Sequence, residues 1–229
     1  MLAPASRIAV LTGAGVSAES GIPTFRGSGG VWRNFRAEDL ATSDAFNRDP
    51  KFVWEWYDWR RSLIVAAKPN AAHYALAELE RAKPQFTLIT QNVDGLHDLA
   101  GSKKIRKVHG DIWRLRCLSC GLEQEDRSSP LATLPPQCAC GGIQRPGVVW
   151  FGEGLPQDVW ADAVAATEAA EVFLVIGTSA IVYPAAGLVE VAKSNGAKVI
   201  EINVVESAVS GLVDYCLLGE AARILPQLV

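Results

Sequence analysis

Four of the five cysteines stand in two close pairs, Cys117-x-x-Cys120 and Cys138-x-Cys140, separated by 17 residues of turn-rich chain. Four thiolates so spaced suit tetrahedral zinc, and a site closed by four protein ligands leaves no position for a substrate. One structural zinc is therefore expected. The fifth, Cys216, lies in an apolar stretch (Val213–Leu218) and reads as packing. Glycines mark a second constellation. Gly13-Ala14-Gly15-Val16-Ser17-Ala18 satisfies G-x-G-x-x-G/A directly after a strand-like run. There the turn amides and a following helix dipole favour a phosphate, although any tight strand-to-helix turn also selects glycine. The acidic ribose reader usual about twenty residues further on is missing. Instead Glu19-Ser20-Gly21-Ile22-Pro23-Thr24-Phe25-Arg26-Gly27 follows, more a lid than a crossover.

Further polar clusters close other apolar runs. Thr90-Gln91-Asn92-Val93-Asp94-Gly95-Leu96-His97 carries amide and carboxyl groups able to hold a carboxamide, or only to cap a helix through an Asx-turn. Gly177-Thr178-Ser179 ends a third run and Asn203 a fourth, where a polar side chain can meet a ribose hydroxyl. Of the three histidines, His73 reads as structural on a helix and His97 as a loop hydrogen-bonder. His109, before Gly110 and after the strand-like Ile105–Val108, is open between a general base and a structural role.

The elements that must position these groups alternate. Arg7–Thr12, Phe86–Thr90, Val172–Ile176 and Lys198–Ile202 are short apolar runs of the kind buried in parallel sheets. Between them Ala71–Arg81, Val159–Ala170 and Ala185–Ser194 read as helices. The expectation is an α/β fold, a Rossmann-like parallel sheet with helices on both faces, with its ligand beyond the strands' carboxyl ends. Two segments break the alternation: Trp-rich Phe35–Lys68, which reads as helical, and Arg114–Arg145 with the cysteines. Together they suggest a smaller lobe of about 35–75 and 114–144 beside a Rossmann-like lobe of about 1–34, 76–113 and 145–229. No repeat or low-complexity tract is visible.

The 229 residues suffice for one sizeable core, and 49% apolar with 21% charged residues excludes a disordered chain. A formal net charge of -3 presents no basic field, so neither direct nucleic-acid binding nor an anionic membrane is expected. No apolar run approaches the ~20 residues that span a bilayer. Met1–Ser6 lacks the pattern of a secretory signal, and the cytoplasm is the expected compartment.

Taken in order, GAGVSAESGIPTFRG at 13–27, TQNVDGLH at 90–97, His109-Gly110, the cysteine pairs, PGVVWFGE at 146–153, Gly177-Thr178-Ser179 and Asn203 resemble the sirtuins, the NAD-consuming protein deacylases. The resemblance covers nearly the whole chain. It implies a cleft holding NAD and an acyl-lysine of a protein substrate. The segment 13–32 (Gly13, Ala14, Gly15, Ser17, Ala18, Glu19, Pro23, Thr24, Phe25, Arg26, Trp32) would wrap the pyrophosphate and nicotinamide ribose. Gln91, Asn92, Val93 and Asp94 would line the nicotinamide pocket, with Asn92 and Asp94 counted as catalytic beside His109. Gly177, Thr178, Ser179, Asn203, Val204 and the backbone near Ala221 would hold the adenosine half. Val148, Val149, Phe151, Gly152 and Glu153 would pair with the substrate backbone as an added strand. The implied chemistry is attack of the acyl oxygen on C1′ of the nicotinamide ribose, with nicotinamide leaving. The resulting O-alkylimidate is attacked by a ribose hydroxyl on which His109 serves as base, and water completes the cycle, giving lysine, nicotinamide and an O-acyl-ADP-ribose. The zinc takes no part.

Within the predicted helix Phe52–Ala67, Tyr57 and Arg60 share a face at i,i+3, and Arg61 at i,i+4 is also near. Spacing cannot choose between the arginines, and both could form a solvated face beside Asp58. Tyr57-x-x-Arg60 matches the sirtuin subgroup that removes succinyl and malonyl groups. That resemblance implies a tyrosine hydroxyl and an arginine fork binding the acyl carboxylate, with acetyl groups also removed. Arg61→Met, the control for the spacing, is expected to behave like the wild type. Rival readings are a mono-ADP-ribosyltransferase, against which His109 and the substrate segment speak, and a module that senses NAD without turnover. A third is an enzyme acting mainly as a deacetylase.

Overall fold

In this computed structural model, residues 2, 4–26 and 37–229 are described. The strands are β1 (Arg7–Thr12), β2 (Gln85–Thr90), β3 (Ile105–Lys107), β4 (Gly110–Cys117), β5 (Glu123–Glu125), β6 (Gln144–Val148), β7 (Val172–Ile176), β8 (Lys198–Asn203) and β9 (Tyr215–Leu218). The α-helices are α1 (Ala37–Leu40), α2 (Ser43–Arg48), α3 (Pro50–Ala66), α4 (Ala71–Ala82), α5 (Leu96–Leu99), α6 (Gln157–Glu168), α7 (Leu188–Ser194) and α8 (Ala221–Ile224).

Six strands form one parallel sheet in the order β3-β2-β1-β7-β8-β9. Alternate side chains explain why its strands read as continuous apolar runs. Ile8 and Val10 of β1, with Leu174 and Ile200, pack on Leu76 and Leu79 of α4 and on Ala221 of α8. Ala9 and Leu11, with Phe173 and Val199, face Ala163 of α6 and Val189 of α7. Each fully buried Leu, Ile or Val contributes about 1.5–3 kcal/mol, which holds both helical layers to the sheet. The chain runs from β1 outward to β3, then returns to β7 on β1's other side. The loops after β1 and β7 therefore diverge at the topological switch point, where such sheets bind ligands.

A second, antiparallel sheet has the order β5-β4-β6. Its inner face joins α1–α3 in a third core containing Trp54, Trp56, Tyr57, Ile112, Leu115 and Trp150. Helix α3 begins where Asp49 caps the Phe52 amide and Pro50 occupies the first turn. Helix α4 begins with a capping box between Asn70 and His73. The boundaries suggested by the sequence at 75/76, 113/114 and 144/145 fall inside α4, β4 and β6. The reason is packing: α4 covers the large sheet along its length, whereas β4 and β6 pair with each other. The stretch expected as one helix over 185–194 divides into a 3-10 turn, Ala185–Gly187, and α7.

Candidate active site

The loops after β1 and β7 touch backbone to backbone. A Cβ on Gly13 would lie 2.7 Å from Thr178 Cβ, and one on Gly15 2.8 Å from the Gly177 carbonyl. Gly177 itself adopts φ +59°. The turn enters a 3-10 helix, Ala14–Ser20, and not the α-helix that the phosphate-loop reading presumes. The Gly15 amide donates to the Gly177 carbonyl (2.7 Å) and the Val16 amide to the Gly13 carbonyl (3.1 Å). Close approach at the switch point therefore engages amides expected to face a phosphate. Ala18 and Glu19 are exposed, and Glu19 accepts the Ala222 amide (3.3 Å), joining this segment to α8 beside Ala221.

Beneath that turn lies a pocket lined by Ala14, Ser17, Ile22, Pro23 and Phe25 on one side and Arg60, Asn92, Val93 and Asp94 on the other. Ser17 donates to Asp94 Oδ2 (2.8 Å) and accepts from Asn92 Nδ2 (3.2 Å), while Asp94 Oδ1 accepts the Leu96 amide (2.8 Å). Burial raises the Asp94 carboxyl above the usual range, partly offset by the Leu96 amide, Ser17 and the Arg60 charge. Ile22, between Gly21 and Pro23 of the lid segment, also lines the pocket. Gln91 does not line this pocket: its Nε2 donates to Thr178 Oγ1 (3.1 Å). Consecutive residues at a strand end point to opposite sides, so Gln91 and Asn92 part company. Thr24 donates to the Arg26 carbonyl (2.8 Å) and Arg26 is exposed. Trp32 lies outside the described residues.

Neither arginine of α3 is on a solvated face. Arg61, 0% exposed, donates to the carbonyls of Ile112 (2.9 Å), Asp126 (2.6 Å) and Ser128 (2.8 Å). It fastens α3 to β4 and the chain after β5, so the expectation of wild-type behaviour for Arg61→Met is wrong. Arg60, 4% exposed, lies over the Phe25 ring at 4.6 Å, and its Nη1 has no hydrogen-bond partner. Burial lowers its pKa, which Tyr57 and Asp94 partly restore. Tyr57 is 5% exposed and does not line the pocket; its hydroxyl accepts from Trp150 Nε1 (2.9 Å).

The histidines divide clearly. His109 is half-buried, with Nδ1 3.2 Å from the Gln91 carbonyl. A carbonyl only accepts, so Nδ1 carries the proton and Nε2 keeps its lone pair. Burial lowers the His109 pKa, partly offset by that carbonyl. His73 is structural: it completes the α4 cap and, buried, is lowered to about 4. His97 is not in a loop. It lies in α5 with Nε2 3.1 Å from Thr12 Oγ1, and burial holds its pKa well below the ordinary value.

At the other strand ends Asn203 donates through Nδ2 to the Thr178 carbonyl (2.9 Å), and its Oδ1 accepts the Val204 amide (3.0 Å). The amide expected to meet a ribose instead ties β8 to the β7 loop. Ser179 and Val204 are exposed. The segment after β6 is not an open strand. The Val149 amide donates to the His109 carbonyl, that of Phe151 to the Ala41 carbonyl, and that of Glu153 to the Trp150 carbonyl. Val148 pairs with Gly110. Glu153 bonds Arg145 (3.0 Å), the Trp150 amide (2.9 Å) and Ser43 (3.1 Å), so it supports this turn. Phe151 and Gly152 are exposed at its tip.

The ligand atoms of Cys117, Cys120, Cys138 and Cys140 lie within 4.8 Å of one another. Their single-residue and two-residue spacers converge because the Cys117–Cys120 turn sits beside the chain that enters β6. The Cys120 amide and its neighbours pull the Cys117 thiol down to about 6. The Gly142 amide lowers Cys140, but its three neighbouring thiols push it up to about 12. This crowding of sulfur is the donor set of a closed zinc site. Cys216 is exposed on the edge strand β9, not packed, and its thiol donates to Glu201 (3.6 Å). Among the described residues no helix is long and apolar enough to cross a membrane.

A doubly wound parallel sheet, a pocket at its switch point that sets Ser17, Arg60, Asn92 and Asp94 among apolar walls, and a four-cysteine module together define an α/β protein built for a nucleotide-type ligand. The description "Sir2 family" matches residues 13–184, and the chain belongs to that family. It is 56% identical over 208 residues to an NAD-dependent protein deacylase of Aquifex aeolicus, covering 90% of this chain and 87% of the relative. An NAD-dependent protein deacylase of Pyrococcus furiosus is 50% identical, covering 100% of this chain and 94% of the relative. A Sir2 homologue in complex with NAD superposes with TM-score 0.94 at 48% identity, covering 99% of this chain and 89% of the other.

Proposed function

We propose that this chain is an NAD-dependent protein-lysine deacylase whose acyl pocket accepts groups ending in a carboxylate, succinyl and malonyl among them. Family membership and the named activities of its relatives support NAD-dependent deacylation. A structure described as a Sir2–p53 peptide–NAD+ complex, TM-score 0.89 and 31% identity, covering 99% of this chain and 93% of the other, supports a protein substrate. The acyl preference is carried by one observation: a buried guanidinium, Arg60, with Nη1 unpartnered, lining the pocket of Asn92 and Asp94. A buried cation without a hydrogen-bonded counterion is unfavourable, and an acyl carboxylate supplies what is missing.

In this reading bound NAD supplies an electrophilic ribose carbon and nicotinamide as its leaving group. Asn92 and Asp94, oriented by Ser17, hold the carboxamide, and Ile22, Pro23 and Phe25 exclude water from it. His109 takes a proton at Nε2 from a ribose hydroxyl while its Nδ1–H is held by the Gln91 carbonyl. Gly13, Gly15, Gly177, Thr178 and Asn203 shape the floor for the remaining nucleotide. Cys117, Cys120, Cys138 and Cys140 would hold one zinc ion that ties the turn after β4 to the chain entering β6 and so braces the three-stranded sheet.

The test is a kinetic comparison of acetyl-, succinyl- and malonyl-lysine forms of one peptide, in wild type and Arg60→Met. Loss of a charge-assisted hydrogen bond should raise KM for succinyl-lysine roughly ten- to a hundredfold, and that for acetyl-lysine far less. Equal losses on all three acyl groups, or a wild type confined to acetyl-lysine, would overturn the acyl preference. Transfer of ADP-ribose to protein without release of free lysine would overturn deacylation itself.

A further inference from the structure

A single peptide unit joins a buried hydroxyl to the histidine of the site. The Asn92 amide donates to Thr90 Oγ1 at 3.0 Å. The Gln91 carbonyl, the other half of the same unit, lies 3.2 Å from His109 Nδ1. We infer that the Thr90 hydroxyl is the positioning group that aims the Gln91 carbonyl at His109, and so keeps Nε2 of the base free for a ribose hydroxyl. This rests on the reading of His109 as the base.

A peptide unit is planar, so its N–H and C=O turn together. The preceding unit is already fixed, because the Gln91 amide donates to the Thr12 carbonyl at 3.0 Å. What remains is rotation of the unit between Gln91 and Asn92, and Thr90 Oγ1 stops it on the amide side. The Thr90 backbone serves the same histidine: its carbonyl accepts the Val108 amide at 3.1 Å, one residue before His109. Donation by the Asn92 N–H also polarises the unit, which makes the Gln91 carbonyl a better acceptor for His109 Nδ1–H. A threonine oxygen that closes a turn is ordinary at a strand end. Here the far edge of that turn carries the base.

The hydroxyl is held in its turn. Thr12 Oγ1 donates to Thr90 Oγ1 at 2.8 Å, and His97 Nε2 lies 3.1 Å from Thr12 Oγ1. All three side chains are buried. Thr12 gives its proton to Thr90, so it receives one from His97 Nε2, and burial keeps that ring neutral. Side chains from the end of β1 and from α5 thus fasten one oxygen at the end of β2.

The test is Thr90→Val, which keeps the shape and deletes the oxygen, beside Thr90→Ser, which retains it. Each is measured for deacylation and for exchange of labelled nicotinamide into NAD, which reads departure and return of nicotinamide before His109 acts. In Thr90→Val the kcat for deacylation should fall roughly three- to tenfold, with exchange and the KM for peptide near wild type. Thr90→Ser should keep most of the activity, and Thr90→Val should cost nothing further in a His109→Ala background. In the ligand-free protein, nitrogen NMR of the histidine rings should show His109 moving from Nδ1–H towards Nε2–H in Thr90→Val. Thr12→Val leaves Thr90 in place but frees its hydroxyl, so the same changes, weaker, are expected. They decide the matter if Thr90→Val does not fold. Equal losses of exchange and deacylation, or a His109 ring spectrum unmoved in the folded variants, would overturn the role of Thr90. If His109→Ala separates exchange from deacylation and Thr90→Val does not, Thr90's role falls and the base assignment stands. If His109→Ala spares deacylation, or loses exchange as well, both fall.

Discussion

Replacing Arg61 by methionine should destabilise the fold strongly, whereas the same change at Arg60 should leave stability unchanged or raise it. Arg61 is 0% exposed and donates to three carbonyls, with the Asp126 carboxylate at 3.3 Å. Deleting it strands the Ile112 carbonyl in the core and leaves an acidic neighbour unpaired, which costs about 3–5 kcal/mol. For a domain of this size that corresponds to roughly 6–20 °C in Tm. Arg60 is equally buried, but its Nη1 lacks a partner and its contacts are to the Phe25 and Trp56 rings. Losing those cation–π contacts costs about 0.5–1 kcal/mol each, while removing a desolvated cation returns several. Thermal unfolding of both variants without ligand, with binding assays on the folded fractions, separates them. A wild-type Tm for Arg61→Met would refute its role as a clamp. A large loss of stability in Arg60→Met would mean that Arg60 is structural, and the argument for an acyl carboxylate would fail with it.

His109→Ala should lower turnover roughly a hundred- to ten-thousandfold while NAD binding, followed by calorimetry, survives. Because burial lowers the His109 pKa, the acid limb of kcat/KM should lie below the ordinary histidine value of about 6.5; a limb above it would contradict the assignment. His73 is lowered to about 4, so the unfolded chain binds its proton first. Stability should fall as pH drops from about 6.5 towards 4, by about 3 kcal/mol from this group, and melting of His73→Asn should show a shallower dependence. Elemental analysis should find one zinc per chain, and chelation or Cys117→Ser should unfold the small sheet; a metal-free protein of full stability would refute the site.

Much of the site was legible in the residues themselves, because local chemistry is written locally. Glycines that admit backbone contact, paired cysteines and apolar runs that end in polar clusters keep their meaning whatever surrounds them. The sequence by itself thus determined the parallel sheet, the thiolate cluster and the polar cluster at the end of β2. Tertiary structure alone decided which partner each donor would take. Whether Arg60 or Arg61 faces the pocket turns on the small rotation between i+3 and i+4, and on carbonyls from β4 and the chain after β5 that only folding brings to α3. The Asn203 amide, the Gly15 amide and the Glu153 carboxylate all had plausible ligands in the sequence, yet Asn203 is taken by the Thr178 carbonyl, Gly15 by the Gly177 carbonyl, and Glu153 by Arg145 and the distant Ser43. Buried polar groups must be satisfied, and their partners come from wherever the chain returns, which no local pattern encodes.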